Sequence, residues 1–185
     1  GDEAQINEFA KRLNVTQVLQ NKLNKLSGGE LQRIAIIAAS LGKADVYFYD
    51  EPLAYLDINE RLRVSDFIKE IGKENTIVVV EHDLLILDYL TDYLSIFFGE
   101  QGAFGVVSTP KTSKEGVNAY LSGFLKDENM RIRDKELKFN FTKNAPNAGL
   151  KISEWKDFKM EFESGFKLDV KAGEIHQNHV IGILG

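Results

Sequence analysis

Two short apolar runs, Asp45–Asp50 (DVYFYD) and Thr76–Val80 (TIVVV), separated by a stretch at helical spacing, leave this chain few folds to choose from. The first reads as a buried strand ended by Pro52, and the second is a β-branched run of the kind that fills central parallel strands. Between them Asn59–Ile71 turns Leu62, Phe67, Ile68 and Ile71 to one inward face. Asp83–Leu94 is again helical, and Ser95–Phe98 again strand-like. Strand, helix, strand, helix, strand at this spacing predicts an α/β layer around a parallel sheet. Ahead of it, Glu3–Leu13 and Thr16–Leu23 read as short amphipathic helices. Leu31–Leu41 reads as a largely buried helix capped by Gly42.

The pattern changes after position 98. Gly99, Gly102, Gly105 and Pro110 break the periodicity, and Lys114–Leu125 offers one more helix with Gly116 and Gly123 near its ends. From Lys111 to Lys143 the bases Lys111, Lys114, Lys126, Arg131, Arg133, Lys135, Lys138 and Lys143 outnumber the acids, inside a chain of net charge −5. That stretch reads as a connector with a cationic face, although such charge runs are more often solvated linkers. After Pro146–Gly149 alternation returns. Leu150–Trp155, Phe158–Glu163 and Phe166–Val170 are expected as antiparallel strands, with turns at Ser164-Gly165 and Ala172-Gly173. Val180–Leu184 reads as the first buried strand of another α/β domain. The expected division is therefore 1–98, a hinge over 99–145, and the start of a further domain over 146–185.

Composition excludes several classes. The chain has no cysteine, hence no disulfide, no thiol chemistry and no thiolate-bound cluster. Its longest apolar run falls short of the roughly 18 residues of a membrane span. No signal peptide opens it. It starts at Gly1 and stops at Gly185 inside an apolar run, which reads as a cut at both ends.

The candidate chemistry lies at the ends of these elements. Ser27-Gly28-Gly29-Glu30 precedes a helix. Its bare backbone and the helix N-terminus suit an anion such as a terminal phosphate, and Ser27 offers a hydroxyl. Ser-x-x-Glu is also a capping box. The two readings are compatible, and capping leaves the double glycine unexplained. Asp50 and Glu51 emerge at the C-terminal end of the first strand, where open α/β sheets bind ligands. Asp50 is placed to hold Mg2+ and Glu51 to deprotonate an attacking water. His82 leaves the second strand at the same edge and is placed to touch a terminal phosphate and that water. Asp57 stands before a helix, either to cap it or to cross an interface. Gly185, after an apolar run, matches the first glycine of a G-x-x-x-x-G-K-[ST] loop. His176 and His179 fall in an expected turn and carry no role.

In this order the residues resemble an ATP-binding cassette of the P-loop NTPase class. Leu26–Glu30 is similar to the signature motif, Val46–Glu51 to the Walker B strand, Tyr55–Asp57 to the D-loop, and His82 to the switch histidine. The wider match narrows this to subfamily E, the RNase L inhibitor family of twin-cassette ribosome-recycling ATPases. It runs through LSGGELQR (26–33), VEHDLLILDY (80–89), FGVV (104–107), EGVN (115–118) and DENMR (127–131) with Arg133. The resemblance implies a cytoplasmic ATPase without membrane domains that uses ATP and Mg2+. It implies the small ribosomal subunit, its rRNA, and a release factor or rescue paralogue as partners. Iron–sulfur clusters are implied only in an N-terminal domain outside this chain. Ser27–Glu30 and Asp57 would then face ATP bound by the opposite cassette, Asp50, Glu51 and His82 ATP bound by their own, and Gly185 would open the second phosphate loop. The hinge bases Lys111, Lys126, Arg131 and Arg133 would carry the motion to rRNA. Two alternatives stand beside this: the ATPase of a transporter, or a nucleotide-gated scaffold that does not hydrolyse. Leu53-Ala54 replaces small polar D-loop residues, which suggests lost hydrogen bonds across the interface. His176–His179 replaces a Gly-acidic step. Trp155 and Phe158 are candidates to stack on a base, with core packing the commoner role.

Overall fold

The computed structural model describes residues 3–138, 149–177 and 181–182. It divides into two compact units, Gly1–Lys138 and Phe139–Gly185.

The first unit is built around a strand–helix–strand crossover. Strand β1 (Val46–Asp50) runs parallel to β2 (Thr76–Val80) with Val46 opposite Thr76 and Asp50 opposite Val80. Helix α3 (Ile58–Ile71) connects them. Helix α1 (Glu3–Arg12) and helix α2 (Gly28–Ser40) complete the packed layer. Phe9, Leu13, Val15, Ile36, Ile37, Tyr49, Val64, Phe67 and Ile68 form its core. The buried Tyr49 hydroxyl is satisfied by Ser40 Oγ at 2.8 Å.

Several expectations are corrected. Among the described residues the parallel sheet has two strands, and only one of its faces is covered. Tyr47, Tyr49, Ile77 and Val79 pack inward, whereas Phe48 is 73% exposed. The helix of a strand–helix–strand crossover lies on one side of its two strands, so a β-branched run is not by itself proof of burial on both faces. Leu62 lies outside the core at 40% exposed. At 3.6 residues per turn it sits roughly 160° round the helix from Val64. Thr16–Leu23 is not a continuous helix. It forms 3-10 turns at Thr16–Val18 and Leu23–Lys25, after Asn14 ends the preceding helix in the left-handed region (φ 53). β-Branched Val15, Thr16 and Val18 do not favour an α-helix there. Helix α2 starts at Gly28, earlier than the expected Leu31, and ends with Leu41, not Gly42, as its cap.

Helix α4 (Leu84–Leu90) is short and gives way to β3 (Tyr93–Leu94). The expected third parallel strand is instead β4 (Phe97–Glu100), which forms an antiparallel hairpin with β5 (Phe104–Val107). Gly102 turns that hairpin with a φ of 79°, a left-handed conformation that glycine adopts without steric cost. Strand β6 (Lys111–Thr112) pairs with β3, α5 spans Ser113–Ser122, and β7 (Phe124–Leu125) pairs with β8 (Met130–Arg131). Residues 99–138 thus pack within the first unit. Two of the expected cationic residues are consumed there. Lys111 is buried and paired with Asp127 and with Glu128 at 3.6 Å. Arg133 lies 4.9 Å from the Tyr120 ring centroid and donates to the Tyr120 and Leu121 carbonyls. A charge count cannot show which bases have local acids: among the described residues Lys138 is exposed but paired with Glu136, and Lys114, Lys126, Arg131 and Lys135 are the other exposed bases of the run.

The second unit contains β9 (Lys151–Trp155) paired with β12 (Gly173–His176), and β10 (Phe158–Glu161) paired with β11 (Lys167–Val170), all antiparallel. Gly165 makes the expected turn at φ 83. Ala172-Gly173 does not turn within a hairpin, because Gly173 already opens β12. Trp155 lies against Gly173 and donates its indole N–H to the Lys171 carbonyl at 2.8 Å. The Val180–Leu184 strand, His179 and Gly185 lie largely or wholly outside the described residues.

Candidate functional site

The C-terminal edge of β1 and β2 brings three of the expected residues together. Asp50 ends β1 and is exposed. Glu51 adds one more rung beyond the strand by donating its N–H to the Val80 carbonyl at 2.9 Å. Its φ of 45° then turns the chain sharply, a conformation uncommon outside glycine and asparagine. His82 Nε2 lies 3.1 Å from Glu51 Oε1. Both side chains are more than half exposed, 78% for His82 and 55% for Glu51. A carboxylate and an imidazole share a solvent-facing edge, with a second carboxylate one residue away.

Ser27–Glu30 forms the start of α2, and the capping box is fully made. Ser27 Oγ accepts the Glu30 N–H at 3.3 Å, and Glu30 Oε2 accepts both the Ser27 N–H and the Ser27 hydroxyl at 2.8 Å. The backbone N–H of Ser27 holds the Glu30 carboxyl below its ordinary value. The Ser27 hydroxyl proton is therefore engaged within the box. Gly29 has a packing reason that capping alone lacked. A Cβ at Gly29 would stand 3.1 Å from the Tyr55 carbonyl oxygen and 3.3 Å from Leu56 Cδ2. The 51–57 loop lies directly against the helix start, and Gln32 Nε2 donates to the Glu51 carbonyl at 3.2 Å. The signature segment and the strand-edge carboxylate are thus joined through backbone contacts.

The Glu30 geometry has a pH consequence. A carboxyl whose folded value is depressed contributes stability that is present above its unfolded value and lost as pH falls through the folded one. Glu30→Gln is therefore expected to lower the urea midpoint at neutral pH, and the difference from the unaltered protein should shrink as pH falls through and below the ordinary carboxyl range. A constant difference across that range would contradict the ionised capping box.

Asp57 caps α3, accepting the Asn59 and Glu60 N–H groups at 2.9 and 3.0 Å. Asp57→Ala should cost about 1 kcal/mol by chemical denaturation, and Asp57→Asn much less, since both Asp and Asn cap well. Leu53 is 2% exposed and faces the core. At that position the departure from a polar D-loop fills the interior rather than removing a surface hydroxyl.

Sequence reasoning passed over several residues that build this edge. Glu81 accepts the Leu53 N–H at 3.1 Å and the His82 N–H at 3.2 Å. Arg61 donates to the Leu56 carbonyl at 3.0 Å and pairs with Asp83 at 3.1 Å, while Asp83 caps α4. Arg33 is buried, donates to the Gly29 and Leu13 carbonyls at 3.1 and 3.0 Å, and pairs with Glu60 at 2.8 Å. Asp83 was legible as a cap before an apolar run. Arg33 and Arg61 were not, because their partners lie in other elements. Among the described residues no group of three or more His, Cys, Asp or Glu is arranged to hold a metal.

This fold and edge define the ATP-binding cassette class, and the ABC transporter family model matches residues 1–54. An uncharacterized ABC transporter ATP-binding protein of Methanocaldococcus jannaschii is 42% identical over 100% of this chain and 30% of its own length. ABC transporter E family member 1 of Arabidopsis thaliana is 38% identical over 96% of the chain and 30% of its own length. The archaeal ABCE1 in a model of ribosome-bound Pelota and ABCE1 superposes with a TM-score of 0.89 at 42% identity, covering 100% of this chain and 31% of that one. The chain belongs to subfamily E of the ATP-binding cassette proteins, the RNase L inhibitor family. It spans about 30% of the length of the curated relatives it matches.

Proposed function

We propose that this chain is part of an ATP-hydrolysing twin-cassette protein that splits ribosomes into subunits. The observation that carries the reading is the Glu51–His82 contact at 3.1 Å beside Asp50 on the C-terminal edge of a parallel strand pair. In this reading Glu51 takes a proton from the attacking water, and His82 orients that water and the terminal phosphate. Asp50 fits Mg2+, because Mg2+ is held by one or two carboxylates with phosphates and water completing its shell. An exposed carboxylate at a strand end suits such a site. When bound, the ion would neutralise phosphate charge.

Ser27, Gly28, Gly29, Glu30 and Asp57 belong to the surface offered to ATP on the opposite cassette. The amides of Gly28 and Gly29 at the helix start supply its attraction for an anion. Ser27 would donate to that phosphate only by releasing Glu30. Gly185 is assigned to the second phosphate loop. The organisation proposed with it is cassette residues over 1–98, a hinge over 99–145 whose residues 99–138 pack with the first unit, and the start of the second cassette from 146. The exposed bases Lys126 and Arg131 are the hinge residues suited to phosphate contacts with rRNA.

The partners follow from what relatives carry in their names. One solved relative is an archaeal ribosome recycling factor in complex with a ribosomal stalk protein, and another is bound to the ribosome with Pelota. Others are translation initiation factors of fungi. No helix among the described residues is long and apolar enough to cross a membrane, and the proposed site of action is the cytoplasm. The test incubates the full-length protein with ribosomes, Mg-ATP and a termination or rescue factor, followed by sucrose-gradient sedimentation. Conversion of whole ribosomes to subunits is expected. Intact ribosomes despite active hydrolysis would reject ribosome splitting, and co-purification with a membrane subunit would point to transport.

A further inference from the structure

The Glu51–His82 pair is braced from behind by the residue that precedes the histidine. Glu81 spends its two carboxylate oxygens on backbone amides of two different segments. Oε1 accepts the Leu53 N–H at 3.1 Å, and Oε2 accepts the His82 N–H at 3.2 Å. Leu53 lies two residues beyond Glu51, in a loop whose backbone is left-handed at Glu51 (φ 45) and again at Tyr55 (φ 62). Such conformations persist where the surroundings over-determine them. On the other side of His82, Asp83 holds the Arg61 guanidinium, and that group also donates to the Leu56 carbonyl. The 51–57 loop is thus tied at Leu53 and at Leu56 to the two carboxylates that flank His82.

We propose that Glu81 is a positioning residue for the reaction at this edge, holding His82 and the loop that begins at Glu51 in one fixed relation. The proposal rests on the hydrolytic reading above and deepens it. Two amides converging from different segments need an acceptor with two oxygens. A glutamine has one acceptor oxygen and would point its NH2 at the other N–H. Glu81→Asp shortens the side chain by one methylene and loses the reach to span both. Displacement of a reacting group by about 1 Å can cost on the order of a hundredfold in rate. In this reading His82 meets the phosphate through its ring and not its amide, so the effect should fall on turnover more than on affinity.

The experiment measures steady-state ATP hydrolysis by the full-length protein in four forms: unaltered, Glu81→Gln, His82→Ala, and the double variant. Glu81→Gln is expected to lower kcat about tenfold to a hundredfold with KM for ATP within about twofold. In the His82→Ala background the same change should remove less than about another twofold, because the two residues act through one another. Glu81→Asp, which keeps the charge but loses the reach, should fall between the unaltered protein and Glu81→Gln. Unaltered kcat in Glu81→Gln, or fully additive losses in the double variant, would overturn the brace alone. So would a kcat loss that merely tracks the folded fraction while Glu81→Asp stays fully active. Absence of any hydrolysis by the unaltered protein would overturn the functional reading and the brace with it.

Discussion

Glu51→Gln in the full-length protein is expected to lower ATP hydrolysis at the first site by about a hundredfold or more, while Mg-ATP binding stays within about twofold. The reason is chemical and local. The carboxylate is exposed, stands one residue beyond β1, and faces His82 at 3.1 Å. A glutamine fills the same volume and keeps an oxygen for His82, but it cannot accept a proton from water. General-base catalysis contributes typically about 10²–10⁴-fold, which sets the size of the loss. The backbone role of Glu51 survives, because its N–H still reaches Val80 and its carbonyl still receives Gln32. The variant should therefore fold like the unaltered protein. Single-turnover hydrolysis with the second site disabled checks this, and an unchanged rate there would remove Glu51 from the chemistry.

The second large effect concerns stability. Phe67→Ala is expected to destabilise the first unit by about 3–5 kcal/mol, read as a lowered midpoint in urea unfolding. Phe67 is 1% exposed. Its ring meets Phe9 edge-on at 4.9 Å between centroids, and the Arg12 guanidinium sits 5.1 Å from its centre. Truncation removes a buried aromatic, an edge-to-face partner and a cation's seat, and it opens a cavity between α1 and α3. Leu62→Ala on the same helix is the control. Leu62 is 40% exposed and should cost less than about 1 kcal/mol. Equal losses at both positions would show that the inward face of α3 has been misassigned.

The two helix-face residues also show how far sequence carries. Phe67 and Leu62 were both read as inward from spacing, and only Phe67 is. Periodicity gives the angle between residues on a helix, while the direction of the core is set by the elements that pack on it. The same limit applies to the strands. Thr76–Val80 is legible as a parallel strand that brings His82 to the same edge as Asp50, whereas the register, with Asp50 opposite Val80, comes from the structure. Which sheet face is covered was not legible, because α3 can cover only one. Lys111 is a third case. As a letter it was one base in a cationic run, and in space it is buried with Asp127 and Glu128.

The site divides along the same line. Glu51, His82 and Asp50 follow from two strands ending in polar residues, and Ser27 with Glu30 follows from a capping spacing. Those relations are local, or are carried by a crossover of fixed hand, so the residue order alone determines them. That Gly29 yields room to the Tyr55 carbonyl, that Leu53 turns into the core, and that Glu81 gathers amides from two segments are decided by tertiary contacts. A backbone amide has no side-chain identity, and its partner across 28 positions of chain leaves no mark in the order of residues.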